Sequence, residues 1–150
     1  MKNKIFFLTL ILLAALMTLC KKELPNNTLS LKDLNVSDCK TKSGSPKGVD
    51  SEYITIKTVD AYYLHINHIN AMFNCEPGQI TVTINCVSNS VSMNENESRH
   101  LANCICPYDI DFKLGPLKYG TYNLIFKKGG LTFKEYTLDF KNSTDIKIDL

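Results

Sequence analysis

The chain reads as an all-β protein, a two-sheet antiparallel sandwich preceded by an N-terminal signal helix and a flexible tether. Two observations predict this. From about Ser51 onward, short runs of alternating apolar and polar residues are divided by turn-forming residues roughly every 8–12 positions. Six cysteines follow an export-like N-terminus, so disulfides are the expected staples of a core of modest size. Once the signal is removed the chain is long enough for one core and not two.

The elements follow in order. Residues 20–50 have the composition of a tether, with Pro25-Asn26-Asn27 and Ser43-Gly44-Ser45-Pro46 as turn and loop stretches. Leu29, Leu31, Leu34 and Val36 interrupt them and offer a short first strand. Residues 51–150 form the sandwich domain. Ile54 and Ile56 alternate with Thr55 and Lys57. The segment from Asp60 to Phe73 suits either a helix, through Ile66, Ile69 and Phe73, or a strand, through the β-formers Tyr62-Tyr63-Leu64-His65-Ile66; strand is preferred. Ile80, Val82, Ile84 and Cys86 share one face of a strand, and Ser88-Asn89-Ser90 turns it back into Val91 and Met93. Asn94 to Asn103 is polar and expected to be a loop.

Cys104, Cys106, Tyr108, Ile110, Phe112 and Leu114 then occupy one face of a long strand, which Gly115-Pro116 ends. Tyr122, Leu124 and Phe126 face inward on the next strand, and Lys127-Lys128-Gly129-Gly130 turns the chain into Leu131–Phe140. There Leu131 and Phe133 have one parity while Tyr136, Leu138 and Phe140 have the other. One face cannot hold both sets without an extra residue, so a β-bulge is expected near Lys134-Glu135. Ile146, Ile148 and Leu150 supply a last strand.

Residues 1–19 read as a signal peptide. Lys2 and Lys4 give a positive start, and an apolar run extends from Ile5 to Leu19. A helix of about fifteen residues reaches only about 22 Å, short of a hydrocarbon core of roughly 30 Å, so the segment exports rather than spans. Leu16-Met17-Thr18-Leu19-Cys20 resembles the lipobox of bacterial lipoproteins, which are cut before the cysteine and acylated on it. That resemblance implies lipidation at Cys20, with Lys21 pointing to the outer membrane or cell surface. Leu19 stands where lipoboxes carry a small residue. The alternative is ordinary secretion into the periplasm or medium, with cleavage near Ala14 or Ala15.

The chain carries 17 Lys+Arg against 15 Asp+Glu. Lys2 and Lys4 leave with the signal, so the mature protein is balanced and has no basic block for nucleic acid. Five or six mature cysteines permit about 15 complete connectivities. Cys104 and Cys106 lie two apart on an extended backbone, so each is expected to reach a different partner. Cys39 and Cys75 are the preferred partners, and Cys86 the expected free thiol, buried as a small apolar group.

The stretch from Leu117 to Leu124 resembles the Gly-x-Tyr step before a late strand of immunoglobulin-like domains, with Tyr122 as the corner tyrosine. His68-Ile69-Asn70, Asn74-Cys75, Cys104-Ile105-Cys106-Pro107-Tyr108-Asp109 and Gly120-Thr121-Tyr122 together resemble a group of small exported hypothetical lipoproteins of Bacteroidales-type bacteria. The resemblance covers roughly Tyr53 to Leu150. It implies an immunoglobulin-like sandwich with an outer-membrane or extracellular address, and it brings no activity, ligand or catalytic residue.

Candidate chemistry is sparse. His65, His68 and His100 with the Cys104/Cys106 pair could form a small zinc site, but His65 and His68 point to opposite faces if their segment is a strand. Asp109 and Asp111 share a strand face about 7 Å apart and could be paired carboxylates for glycan hydrolysis. Against that, such pairs are usually the wet face of a strand, and the chain is small for a glycosidase. No Gly-x-Ser-x-Gly elbow is present. Asn94-Glu95-Asn96-Glu97 offers oxygens for calcium without the spacing of a calcium loop. Tyr62, Tyr63 and Tyr119 are candidates for a rim that contacts a protein or glycan ligand. The expectation is a non-enzymatic cell-envelope lipoprotein without cofactor, with zinc binding and glycan hydrolysis as the alternatives.

Overall fold

The computed structural model describes residues 28–40 and 51–150. The signal peptide 1–19, the lipidation candidate Cys20 and tether residues 21–27 and 41–50 lie outside the described residues. Within them the chain forms β1 (Ser30–Val36), β2 (Tyr53–Val59), β3 (Tyr63–Asn74), β4 (Ile80–Val87) and β5 (Ser90–Glu97). These are followed by β6 (Ile105–Gly115), β7 (Gly120–Lys128), β8 (Leu131–Phe140) and β9 (Asp145–Asp149). They build a two-layer sandwich: a sheet in the order β1-β6-β3-β2-β9 packs on a sheet in the order β4-β5-β7-β8.

Period-two alternation drives this arrangement. Ile54 and Ile56 on β2, Leu64 and Ile66 on β3, and Ile110, Phe112 and Leu114 on β6 point to the facing sheet and are fully buried. Val91, Met93, Leu124, Phe126, Leu138 and Phe140 meet them from the other layer. Each such side chain contributes about 1.5–3 kcal/mol by leaving water. The ambiguous segment is strand β3, whose β-branched and aromatic residues pair with both β2 and β6. β1 joins β6 at the edge, so the sandwich begins before residue 51, within the stretch that reads as a tether.

Some expectations need correction. The sheets are not wholly antiparallel, because β5 and β7 run parallel. β6 lies between them in sequence but in the other sheet. It carries the chain back across the core, so β7 starts from the same end as β5. Asn94 to Asn103 is not all loop: Asn94–Glu97 continue β5 because their backbone pairs with β4 and, in part, with β7. Cys86 is free but exposed, since β4 is an edge strand whose last residues overrun the core.

On β8, Lys134 pairs with Phe126 and Thr132 with Lys127, which makes Phe133 the extra residue, just before the expected bulge position. The bulge lets Phe133 turn its ring toward Phe126, with centroids 6.4 Å apart. β3 has a second bulge: His68 pairs with Ile110 and Ala71 with Tyr108, while Asn70 adopts a positive φ of 60°. The slip changes parity, so His68 before it and Ala71 and Phe73 after it all face inward.

Two ends of the fold are pinned in different ways. Tyr122 Oη donates to the Lys118 carbonyl at 3.0 Å, the corner contact expected of it. Gly115 sits so close to β3 that a Cβ would lie 2.5 Å from the Tyr63 ring and 2.7 Å from the Tyr62 carbonyl, so no larger residue fits. At the opposite end of β6, Cys39 bonds to Cys106 and Cys75 to Cys104. Tyr108 Oη donates to the Asn74 carbonyl at 3.1 Å. Cys104-Ile105-Cys106-Pro107-Tyr108-Asp109 is thus a staple, tying β6 to the segment after β1 and to the end of β3.

Candidate functional site

The most distinctive polar feature lies between the sheets. Glu52, His68 and Glu95 all have core parity: Glu52 two positions before Ile54, His68 two after Ile66, Glu95 two after Met93. His68 is 1% exposed and Glu95 3% exposed. The imidazole bridges the layers. Its Nδ1 lies 2.9 and 3.0 Å from the two carboxylate oxygens of Glu95, and its Nε2 lies 3.0 Å from Glu52 Oε1. Phe133, brought in by its bulge, stacks on the ring with centroids 5.5 Å apart.

Burial alone would drive the His68 pKa down, but hydrogen bonds to Glu52 and Glu95, and the charges of both, raise it from 6.5 to about 9. The hydrogen bond from His68 holds the Glu52 carboxyl below its ordinary value, against the opposing effect of burial. His68 is therefore an imidazolium at neutral pH and donates from both nitrogens. It has no lone pair left to take a proton or bind a metal. Lys128 adds positive charge nearby: its Nζ donates to the Met72 carbonyl at 3.1 Å and lies 5.5 Å from the Phe73 ring centroid. A cleft of about 210 Å³ opens beside this cluster, lined by Glu95, Glu97, His100 and Lys128 among others.

The sequence-derived candidates fall as follows. His65 and His68 point to opposite faces of β3: His65 Nε2 lies 2.5 Å from Asp111 Oδ2 on the outer face, while His68 is in the core. Cys104 and Cys106 are both oxidised, so the histidines and thiolates of the zinc reading are not brought together. Among the described residues no cluster of three or more His, Cys, Asp or Glu is placed to hold a metal. Asp109 and Asp111 share the outer face of β6, but each has its own partner. Asp109 Oδ1 takes Lys40 Nζ at 2.5 Å and the Asn70 amide at 3.1 Å.

The Asn94–Glu97 oxygens diverge. Glu95 turns inward to His68, Glu97 Oε2 accepts the Asn74 amide at 2.9 Å, and Asn94 Nδ2 donates to Asn96 Oδ1 at 3.2 Å. Tyr62 and Tyr119 stack with centroids 6.4 Å apart, and Tyr63 receives Lys32 both on its hydroxyl and over its ring.

Sequence reasoning named His68 and missed its partners. The signal was available: Val91-x-Met93-x-Glu95 carries the core alternation one step beyond the apolar residues, as Leu64-x-Ile66-x-His68 does. Reading Asn94 onward as loop hid it. The two disulfides mark an oxidising, extracytoplasmic compartment. Compared with protein-family models, with curated proteins and with solved structures, the chain has no match.

Proposed function

We propose that this protein is a non-enzymatic accessory of the cell envelope. In this reading it is exported, lipid-anchored through Cys20 to the outer membrane or cell surface, and presents a disulfide-stapled sandwich for binding or structural support. The observation that carries it is the pair of disulfides closing one end of the fold, Cys39 to Cys106 and Cys75 to Cys104. Such bonds are rare in the reducing cytosol and typical of exported proteins, in keeping with the signal-like N-terminus. A non-enzymatic role is supported by the commitment of each candidate catalytic group to a structural partner. Both His68 nitrogens face carboxylates, Asp109 holds Lys40, and Asp111 holds His65.

The test is expression with the native leader, followed by membrane fractionation and mass spectrometry of the mature N-terminus. Acylated Cys20 at the new terminus is expected, with the protein in the membrane fraction and Cys20→Ala moving it to the soluble fraction. Several buried acyl chains, at about 0.8 kcal/mol per methylene, make that partition nearly complete. A mature terminus near Ala15 with an unmodified Cys20 would reject the anchor.

A further inference from the structure

Among the described residues the two sheets end in four edge strands: β1 and β9 in one, β4 and β8 in the other. An edge presents a row of unpaired N–H and C=O groups, and folded proteins blunt it with bulges, charges or short length. Three of these edges carry such devices. β1 is broken by a bulge between Lys32 and Asn35, where Asp33 has a positive φ of 54°. β8 has its own bulge and bears Lys134, Glu135 and Asp139. β9 is only 5 residues long and sets Asp145, Lys147 and Asp149 at alternate positions.

β4 has none of them. Its 8 residues, Ile80–Val87, include no charge, proline or glycine. Its register with β5 is unbroken from Ile80 to Val87. Thr83, Asn85, Cys86 and Val87 are exposed along it, Val87 at 66%. A long, regular, uncharged edge rich in β-formers is the kind that recruits another strand.

The unpaired groups can be located. Val87 and Ser90 flank the two-residue turn Ser88-Asn89, so they make the first hydrogen-bonded pair between β4 and β5. Pair type alternates along an antiparallel ladder, so Thr81, Thr83 and Asn85 also bond to β5. Ile80, Val82, Ile84 and Cys86 therefore direct their N–H and C=O groups outward. Laid antiparallel on a copy of itself about Thr83, the strand sets Val82 against Ile84, Thr81 against Asn85 and Ile80 against Cys86. Apolar residues on the core-facing side then meet apolar ones, hydroxyls and amides meet on the outer side, and no like charges oppose. Every outward backbone group from Ile80 to Cys86 gains a partner. A foreign strand would have to match this alternation; a second copy matches it by symmetry.

We infer that β4 pairs antiparallel with β4 of a second copy across a two-fold axis at Thr83, joining the two four-stranded sheets edge to edge. This goes beyond the envelope reading and does not depend on the anchor.

The experiment is sedimentation velocity of the full processed protein, in detergent, over about 1–100 μM. A reversible monomer–dimer equilibrium is expected. Thr83→Lys sets two ammonium groups opposite each other at the axis and should weaken dimerisation at least about tenfold, roughly 1.4 kcal/mol. Thr81→Lys combined with Asn85→Lys also brings like charges together across the pair, and serves if the first variant fails a thermal-melt check. Thr137→Lys, on the far edge strand β8, should dimerise as the parent does. In a Cys86→Ser background, Thr83→Cys should yield a covalent dimer on non-reducing gels, because the axis pair is not hydrogen-bonded and lies within disulfide reach.

A protein that stays monomeric up to about 100 μM would overturn the inference. Lysine variants of β4 that dimerise like the parent, or equal weakening by Thr137→Lys, would do the same. A parent dimer cross-linked from Cys86 to Cys86 would put the axis elsewhere on the strand and also reject it.

Discussion

His68 shows how one residue can tie two layers together and make stability depend on pH. Its pKa is 6.5 when exposed and about 9 in the fold, so the folded state binds its proton more tightly. That contribution is complete below about pH 6.5 and fades as pH rises through about 9; a shift of this size corresponds to about 3 kcal/mol. Glu52 acts in the opposite sense, since its lowered pKa stabilises above its ordinary value and is lost in acid. Thermal melts should therefore be flat between about pH 5 and 6.5 and decline toward pH 9, with a drop on the order of 10 °C. In Glu95→Gln the alkaline decline should shrink and the protein should lose about 3–5 kcal/mol at neutral pH, because Glu52 alone then balances the buried imidazolium. A melting profile that is level from pH 6 to 9.5 would show that His68 is neutral and the bridge uncharged.

At the level of elements, the bulges and the β6 staple decide what the alternation can accomplish. Phe133 is inserted against Phe126 and so reaches the His68 ring, a contact regular pairing would deny it. The phase change on β8 was legible because two apolar sets of opposite parity cannot share a face. The bulge on β3 was not, because Ile69-Asn70 disturbs no obvious apolar pattern. The disulfides cross-link elements far apart in sequence, with separations of 67 for Cys39–Cys106 and 29 for Cys75–Cys104. The loop-entropy relation puts their stabilisation at about 4.4 and about 3.6 kcal/mol. In denaturant titrations, replacing Cys39 and Cys106 by Ala should lower stability slightly more than replacing Cys75 and Cys104. The reverse order would mean that β1 detaches at little cost and that the β3–β6 junction is the more important tie.

Across the whole molecule, the cysteines separate into roles by position. Four close the end of the sandwich where β6 begins, while Cys86 sits exposed on the outer edge strand β4. Iodoacetamide applied to the native, unreduced protein should modify Cys86 promptly, and Cys39, Cys75, Cys104 and Cys106 only after reduction. Rapid native labelling of Cys104 or Cys106 would remove the staple from the fold and, with it, the main support for an extracytoplasmic address.

What the amino-acid order determined alone was a set of local properties: most of the strand periodicity, the hairpin turns, the corner at Tyr122, the phase change on β8 and the inability of Cys104 and Cys106 to bond each other. These depend on side-chain alternation and covalent reach, which act over a few residues. Only the tertiary structure decided which strands share a sheet, that β5 and β7 run parallel, that Cys39 meets Cys106, and that Glu52 and Glu95 close on His68 from different layers. Those outcomes depend on which buried faces meet, and a buried charge finds its partner in space without leaving a spacing in the chain.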